Sequence, residues 1–216
     1  MNNAYKAAIR ICKKKAGSPQ LSRGHVNPSA INSFDTNHMK ATYTLSNAVP
    51  QFQTFNSQEW GDQEAKIRNY AKNTCGHGDG TLYMLTGISD YGLKKPTGGG
   101  KPVQDQTITQ QCPEYKFKSA GNHEKLGTPR ALWSAGCCVW KKPSTTAPPA
   151  KKARRNPVES FAVMSNNHAD KNNLHLTQMS VADLEKLLSA PGQRNAVKLF
   201  PGNSDCGLAK YNIKLS

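Results

Sequence analysis

Six residues between positions 23 and 68 carry side chains suited to one piece of chemistry. Arg23 and His25 flank Gly24. Asn47 follows, then Asn56, Glu64 and Arg68. Cutting a phosphodiester at neutral pH requires that a water lose a proton, that charge be absorbed on the phosphoryl oxygens, and that the leaving oxygen be stabilised. One neutral imidazole and one hard divalent cation meet all three needs. Mg²⁺ prefers oxygen ligands and keeps most of its waters, so its site needs only one or two side-chain oxygens. His25 is the candidate base. Asn47 and Asn56 offer amide oxygens, Glu64 a carboxylate, and Arg23 and Arg68 positive charge for phosphate oxygens. Several have an ordinary alternative: His25 as a surface or satisfied histidine, Asn56 as a helix N-cap, Glu64 as the i,i+4 partner of Arg68, Arg23 as surface charge, with nearby Trp60 as core.

These side chains need a frame. Residues 21–28 read as a short strand entering a loop, and residues 29–40 as a polar, turn-rich connection. Ala41-Thr42-Tyr43-Thr44-Leu45 alternates in the manner of a strand, and Pro50 is expected to stop regular pairing. After a bridge at 52–56, helical spacing puts Trp60, Ile67 and Tyr70 on one face, with Asn56 or Ser57 as N-cap and Gly61 weakening the first turn. Residues 81–87 form an apolar strand suited to a central place in a sheet, 94–105 a Gly/Pro-rich loop, and 131–140 one bent strand or two. Residues 141–157 are a basic low-complexity insertion expected to be disordered. Residues 160–165 read as a strand, 181–188 as an amphipathic helix capped by Ser180, and 211–215 alternate. The result is an α+β pattern with few helices. Gly98-Gly99-Gly100-Lys101 lacks the Ser/Thr of a phosphate-binding loop, and no Gly-x-Ser-x-Gly nucleophile turn occurs.

The chain has 216 residues, with 29 Lys+Arg against 14 Asp+Glu, a net charge of +15. Mean hydropathy is −0.68. That charge points to a polyanionic partner, nucleic acid first. No apolar run approaches the ~18 residues that a membrane-spanning helix needs. Six cysteines (Cys12, Cys75, Cys112, Cys137, Cys138 and Cys206) stand without a Cys-x-x-Cys pair. An even, spread set suits three disulfides in an oxidising compartment and disfavours a zinc ribbon. The pairing stays open, except that adjacent Cys137 and Cys138 are expected to bond outward. The first residues are basic and carry no signal-like apolar stretch, so a secreted protein would be represented here by a processed form, a fragment or an incomplete gene model. The run Lys151-Lys152-Ala153-Arg154-Arg155 suits nuclear import or polyanion binding, the alternative localisation. His38, His77, His123, His168 and His175 have no comparable context and read as loop histidines.

The whole string resembles the DNA/RNA non-specific endonucleases, the ββα-metal or His-Me finger nucleases. The resemblance rests on Arg23-Gly24-His25, on Leu45-Ser46-Asn47-Ala48-Val49-Pro50-Gln51, and on Asn56, Trp60, Glu64 and Arg68, in order and at family spacing. Residues 81–87, 128–140 and 160–167 resemble later family strands. The nearest branch looks like the secreted, cysteine-containing animal endonuclease-domain proteins. The resemblance implies a ββα-metal fold with a mixed or antiparallel sheet, occupying residues 21–216 after a basic segment at 1–20. It also implies metal-dependent hydrolysis of DNA and RNA to 5′-phosphate ends. His25 would then be the general base and Asn56 the ligand of a single Mg²⁺ or Mn²⁺. Glu64 would orient the ion's water, Arg23 and Arg68 would face phosphate, and Asn47 would orient the histidine or hold the hairpin. Gln51 and Trp60 would be supports. Ser22 departs from the family, which has aspartate there, and the chain before His25 is short. Both departures motivate the alternative of a catalytically degenerate homologue that binds nucleic acid or another polyanion.

Overall fold

The computed structural model describes residues 21–94, 98, 100–105, 115–119, 122–126, 128–140, 156–189 and 196–216. The basic segment at 1–20, most of the insertion at 141–157, and Cys12 and Cys112 lie outside the described residues. The chain forms two compact units. One is built from Met1–Ala65, Gly87–Trp133 and Met164–Thr177, the other from Lys66–Thr86, Ser134–Val163 and Gln178–Ser216.

The first unit opens with β1 (Leu21–His25), which pairs antiparallel with β2 (Ala48–Phe52), from Leu21↔Phe52 to His25↔Ala48. Pro50 was expected to end pairing, yet it sits inside β2 opposite Arg23. These two strands form a sheet of their own, so a residue without an N–H costs nothing on the side away from β1. The strand-like run at 41–45 is not a strand. The connection between β1 and β2 instead holds α1 (Thr36–Ala41), and a 3₁₀ turn at Leu45–Asn47. Asp35 caps α1 by accepting from the backbone N–H groups of Asn37 and His38, at 2.8 and 2.9 Å. Short β4 (Gly92–Lys94) and β5 (Val103–Asp105) pair antiparallel where only a loop was expected. A further hairpin joins β6 (Tyr115–Ser119) to β7 (Asn122–Leu126).

Helical structure starts at Gln53, immediately after β2, with no bridge and no cap at Asn56. Phe55–Glu59 form a π-turn, in which the Trp60 N–H donates to the Phe55 carbonyl five residues back. Helix α2 (Trp60–Tyr70) continues from it. Ser57, the other candidate cap, donates its hydroxyl to the Gln53 carbonyl at 2.7 Å, a bond made from within a helix. The predicted apolar face holds: Trp60, Ile67 and Tyr70 are buried.

A four-stranded sheet runs in the order β10 (Thr177–Met179), β9 (Val158–Asn166), β8 (Ala131–Trp140), β3 (Gly80–Ser89). Nearly every residue of β8 and β9 is withdrawn from solvent, as strands covered on both faces must be. Strand β3, expected to be central, lies at the sheet's edge among the described residues. Its alternation leaves Tyr83 and Leu85 exposed. In the second unit, Tyr70 meets Phe161 edge-on at 5.6 Å and donates its hydroxyl to Glu159 at 2.9 Å. Two disulfides, Cys75–Cys138 and Cys137–Cys206, staple this unit, so the adjacent cysteines do bond outward. Helix α3 (Val181–Leu188) starts at Ser180 as expected, its hydroxyl accepting from the Asp183 N–H at 3.1 Å. The alternation at 211–215 yields one bridge, Ser160↔Asn212.

Candidate active site

Residues two apart on a strand share a face, and Arg23 and His25 do so at the end of β1. Both line a cavity of about 290 Å³ with Tyr43, Thr44, Leu45 and Ala48. The motif glycine between them has a steric cause. The buried Gln51 carboxamide lies where a β-carbon on residue 24 would project, so only glycine fits. Gln51 also donates to the His25 carbonyl at 3.5 Å.

The His25 imidazole is half-buried, and that burial lowers its pKa below 6.5. It meets the Tyr43 ring edge-on at 5.0 Å. Its ring nitrogens bond to no described residue. The imidazole is therefore neutral at pH 7 with a lone pair free to take a proton, the form a general base requires.

Asn47 is fully engaged elsewhere. Its Oδ1 accepts from the Asn27 N–H at 2.7 Å, while its Nδ2 donates to the carbonyls of Asn27 at 2.9 Å and Thr42 at 2.8 Å. Its side chain spans from the segment just after His25 to the segment before β2. Of its two expected roles, this geometry is that of holding the hairpin.

Asn56 lies in the π-turn. A π-turn superposes residues five apart, as the stacked rings of Phe55 and Trp60 do at 5.3 Å. Asn56 therefore lies over Gly61, and a β-carbon there would approach the Asn56 carbonyl to 3.2 Å. Glu64 follows one α-helical turn after Gly61 and Arg68 one turn after Glu64. Asn56 and Glu64 thus flank a position that bears no side chain. The Asn56 amide is half-buried and bonds to no described residue. Glu64 forms no ion pair with Arg68, which is exposed. Burial pushes the Glu64 carboxyl up to about 8. The Trp60 indole pulls the other way more weakly, closing no well-formed hydrogen bond.

No group of three or more His, Cys, Asp or Glu among the described residues is arranged to hold a metal. The donors at this stripe are instead one free amide oxygen and one carboxyl that burial holds in its protonated form. Both are hard oxygen ligands, and they fit a single, largely hydrated divalent ion. Arg23 and His25 share a cavity; Asn56, Glu64 and Arg68 share a helix and do not line it.

Two asparagines escaped the sequence reading. Asn167 accepts from the Phe52 N–H at 3.0 Å and donates to the carbonyls of Pro50 and Pro129, each at 3.0 Å. It thereby holds the end of β2 from which the π-turn and Asn56 start. Asn166 clasps both backbone groups of Leu93. The signal was an Asn pair after a buried strand, where buried polar groups must be satisfied. Ser22, in the family's aspartate position, donates its hydroxyl to the Gln51 carbonyl at 3.2 Å, a bond that a carboxylate cannot make.

The family model for DNA/RNA non-specific endonucleases matches residues 2–198. This chain belongs to that family. The match takes in the hairpin, the π-turn and α2. A chain from the crystal structure of the EndoG/EndoGI complex, a study of the mechanism of EndoG inhibition, is 18% identical with a TM-score of 0.51. The alignment covers 87% of this chain and 60% of that one. At this identity the likeness concerns the fold, a mixed α+β architecture with antiparallel hairpins and few helices. The chain spans about 60% of the length of the EndoG-complex chain that it matches. No curated protein matches the chain.

Proposed function

We propose that this endonuclease-family chain hydrolyses phosphodiester bonds in DNA and RNA with little regard to sequence. The observation that carries the reading is a neutral, uncommitted His25 sharing a cavity with Arg23, on a hairpin that leads directly into a helix bearing a free Asn56 amide. His25 takes the proton from the attacking water at a ring nitrogen. Arg23 draws phosphate oxygens into the cavity and offsets their charge, and Arg68 adds positive charge along the helix. Asn56 would hold a divalent cation through its amide oxygen, and Glu64 would order the water around it. When bound, Mg²⁺ or Mn²⁺ would supply Lewis-acid stabilisation of the negative charge that builds up during cleavage, and the expected products carry 5′-phosphate ends. The excess of positive charge provides affinity through phosphate contacts, which carry no sequence information. Two disulfides favour an oxidising, extracellular compartment. No helix among the described residues is long and apolar enough to cross a membrane.

Plasmid and RNA digestion with Mg²⁺, with EDTA, and with His25→Ala tests this reading. Cutting should require both the metal and the histidine, and cutting that survives either loss overturns the mechanism. A second reading is a homologue that binds nucleic acid without cutting it. It is favoured by Ser22, which stands where the family has aspartate. Retention of DNA at low salt with no cleavage in Mg²⁺ or Mn²⁺ would select it.

A further inference from the structure

The cavity beside His25 has an aromatic wall that the reaction does not use. Tyr43 is 64% exposed and its neighbour in the lining, Leu45, is 48% exposed. The Tyr43 hydroxyl bonds to no described residue, so the ring is neither a core filler nor tethered by its polar end, the two usual fates of a tyrosine. Its backbone, by contrast, is held firmly. The Tyr43 N–H donates to the Lys40 carbonyl at 3.0 Å. Buried Thr42 donates its hydroxyl to the Met39 carbonyl at 2.7 Å and accepts on its own carbonyl from Asn47 at 2.8 Å. The chain thus fixes the position of residue 43 and leaves the ring bare. One side of that ring meets the imidazole at 5.0 Å, and Arg23 lines the same cavity.

We propose that Tyr43 is a stacking platform for one nucleobase of the substrate, and that the site consequently favours single-stranded or locally unstacked nucleic acid. The inference rests on the nuclease reading above and names the substrate class of that site. A phosphate drawn to Arg23 and His25 brings the base of the same nucleotide within reach of the Tyr43 face. Inside a duplex, both faces of every base are covered by neighbours, so the ring finds a partner only where a strand is open. Stacking on a tyrosine is tolerant of base identity, in keeping with a nuclease that does not read sequence.

The test compares a short DNA strand with its own duplex in Mg²⁺, for the parent, Tyr43→Ala and Tyr43→Phe. In Tyr43→Ala, kcat/KM on the single strand should fall about tenfold more than on the duplex, as loss of one base–aromatic stack implies, whereas Tyr43→Phe stays within about twofold of the parent on both. A strand with one abasic residue at the cleaved nucleotide should be a poorer substrate for the parent and no poorer still for Tyr43→Ala. Equal losses on strand and duplex, or a full loss on the abasic strand, would show that Tyr43 only props His25 and would overturn the proposal. Binding of the labelled strand and duplex in EDTA separates the two readings. Single-strand binding that weakens about tenfold in Tyr43→Ala, with no cleavage by the parent, upholds the platform and refutes the nuclease. Cleavage by the parent with no strand–duplex difference refutes the platform alone.

Discussion

Replacing Glu64 by glutamine should stabilise the protein in the absence of metal, by an amount that grows with pH. Burial raises the Glu64 carboxyl from its ordinary 4.5 to about 8. The folded state therefore keeps a proton that the unfolded chain releases, and stability falls as pH rises from 4.5 through about 8. Linkage makes that cost under ~1 kcal/mol at pH 5, about 3 kcal/mol at pH 7 and about 4 kcal/mol at pH 8. Glutamine has nearly the same shape and never ionises, so it escapes the cost at every pH. In EDTA, Glu64→Gln should melt close to the parent at pH 5 and about 5–10 °C above it at pH 7. The difference between the two proteins at each pH is the quantity to plot, since every other titrating group cancels. If the proposed site binds metal, Mg²⁺ should narrow the gap at pH 7, because a cation near Glu64 would favour the carboxylate that the parent alone has. Nuclease activity should move oppositely and be lost in the variant. A melting difference that is flat from pH 5 to 8, or that favours the parent, would refute the assignment of a buried, proton-holding carboxyl at residue 64.

Other consequences of the structure are as directly measurable. Gly24→Ala drives a β-carbon into the Gln51 carboxamide and should cost about 1–3 kcal/mol in urea unfolding, the range for forced overpacking, with activity falling as the hairpin shifts. Asn167→Ala orphans the Phe52 N–H and the Pro50 and Pro129 carbonyls, so a loss of about 3 kcal/mol or more is expected, and Asn167→Asp should restore only the bond from Phe52. Closing Cys75 to Cys138 spans 63 residues of sequence, so Cys75→Ser with Cys138→Ser should cost about 4 kcal/mol by chain entropy; non-reducing peptide mapping that finds either cysteine bonded elsewhere would contradict the pairing. The His25 ring should titrate below 6.5 by NMR, keeping the base form present on the acid side of neutrality; a value above 6.5 would contradict a neutral, half-buried imidazole.

What could be read from the sequence alone follows a physical division. Features set by residues near one another in the chain were legible. The face Trp60, Ile67, Tyr70 obeys helical spacing, and the cap at Ser180 needs only a hydroxyl before an amphipathic run. Features set by a partner distant in sequence were not. That Asn167 serves Pro50 and Phe52 depends on 115 residues or more of intervening chain, and the local Asn pair does not name the groups it serves. The edge position of β3 was hidden because TLYMLTG is as apolar as a buried strand, while half of its apolar side chains face solvent. Pro50 misled for a related reason. Proline forbids a central strand, but β2 has a neighbour on one side only, a topological fact that composition does not carry.

The stripe of Asn56, Gly61 and Glu64 shows the limit most clearly. Asn56 and Glu64 are eight apart, and at 3.6 residues per turn a regular helix would set them about 80° apart around its axis. The π-turn at Phe55–Glu59 takes in one extra residue, so the spacing acts as seven, and seven residues are close to two full turns. Gly61 then falls between the two side chains on the same stripe and leaves the space open. The sequence contained both donors and the glycine, but read as a regular helix, with Asn56 as its cap and Gly61 as a flaw in its first turn, the three do not line up. A cap at residue 56 would have spent the amide oxygen on backbone N–H groups; the π-turn starts the helix earlier and leaves that oxygen unspent on the backbone.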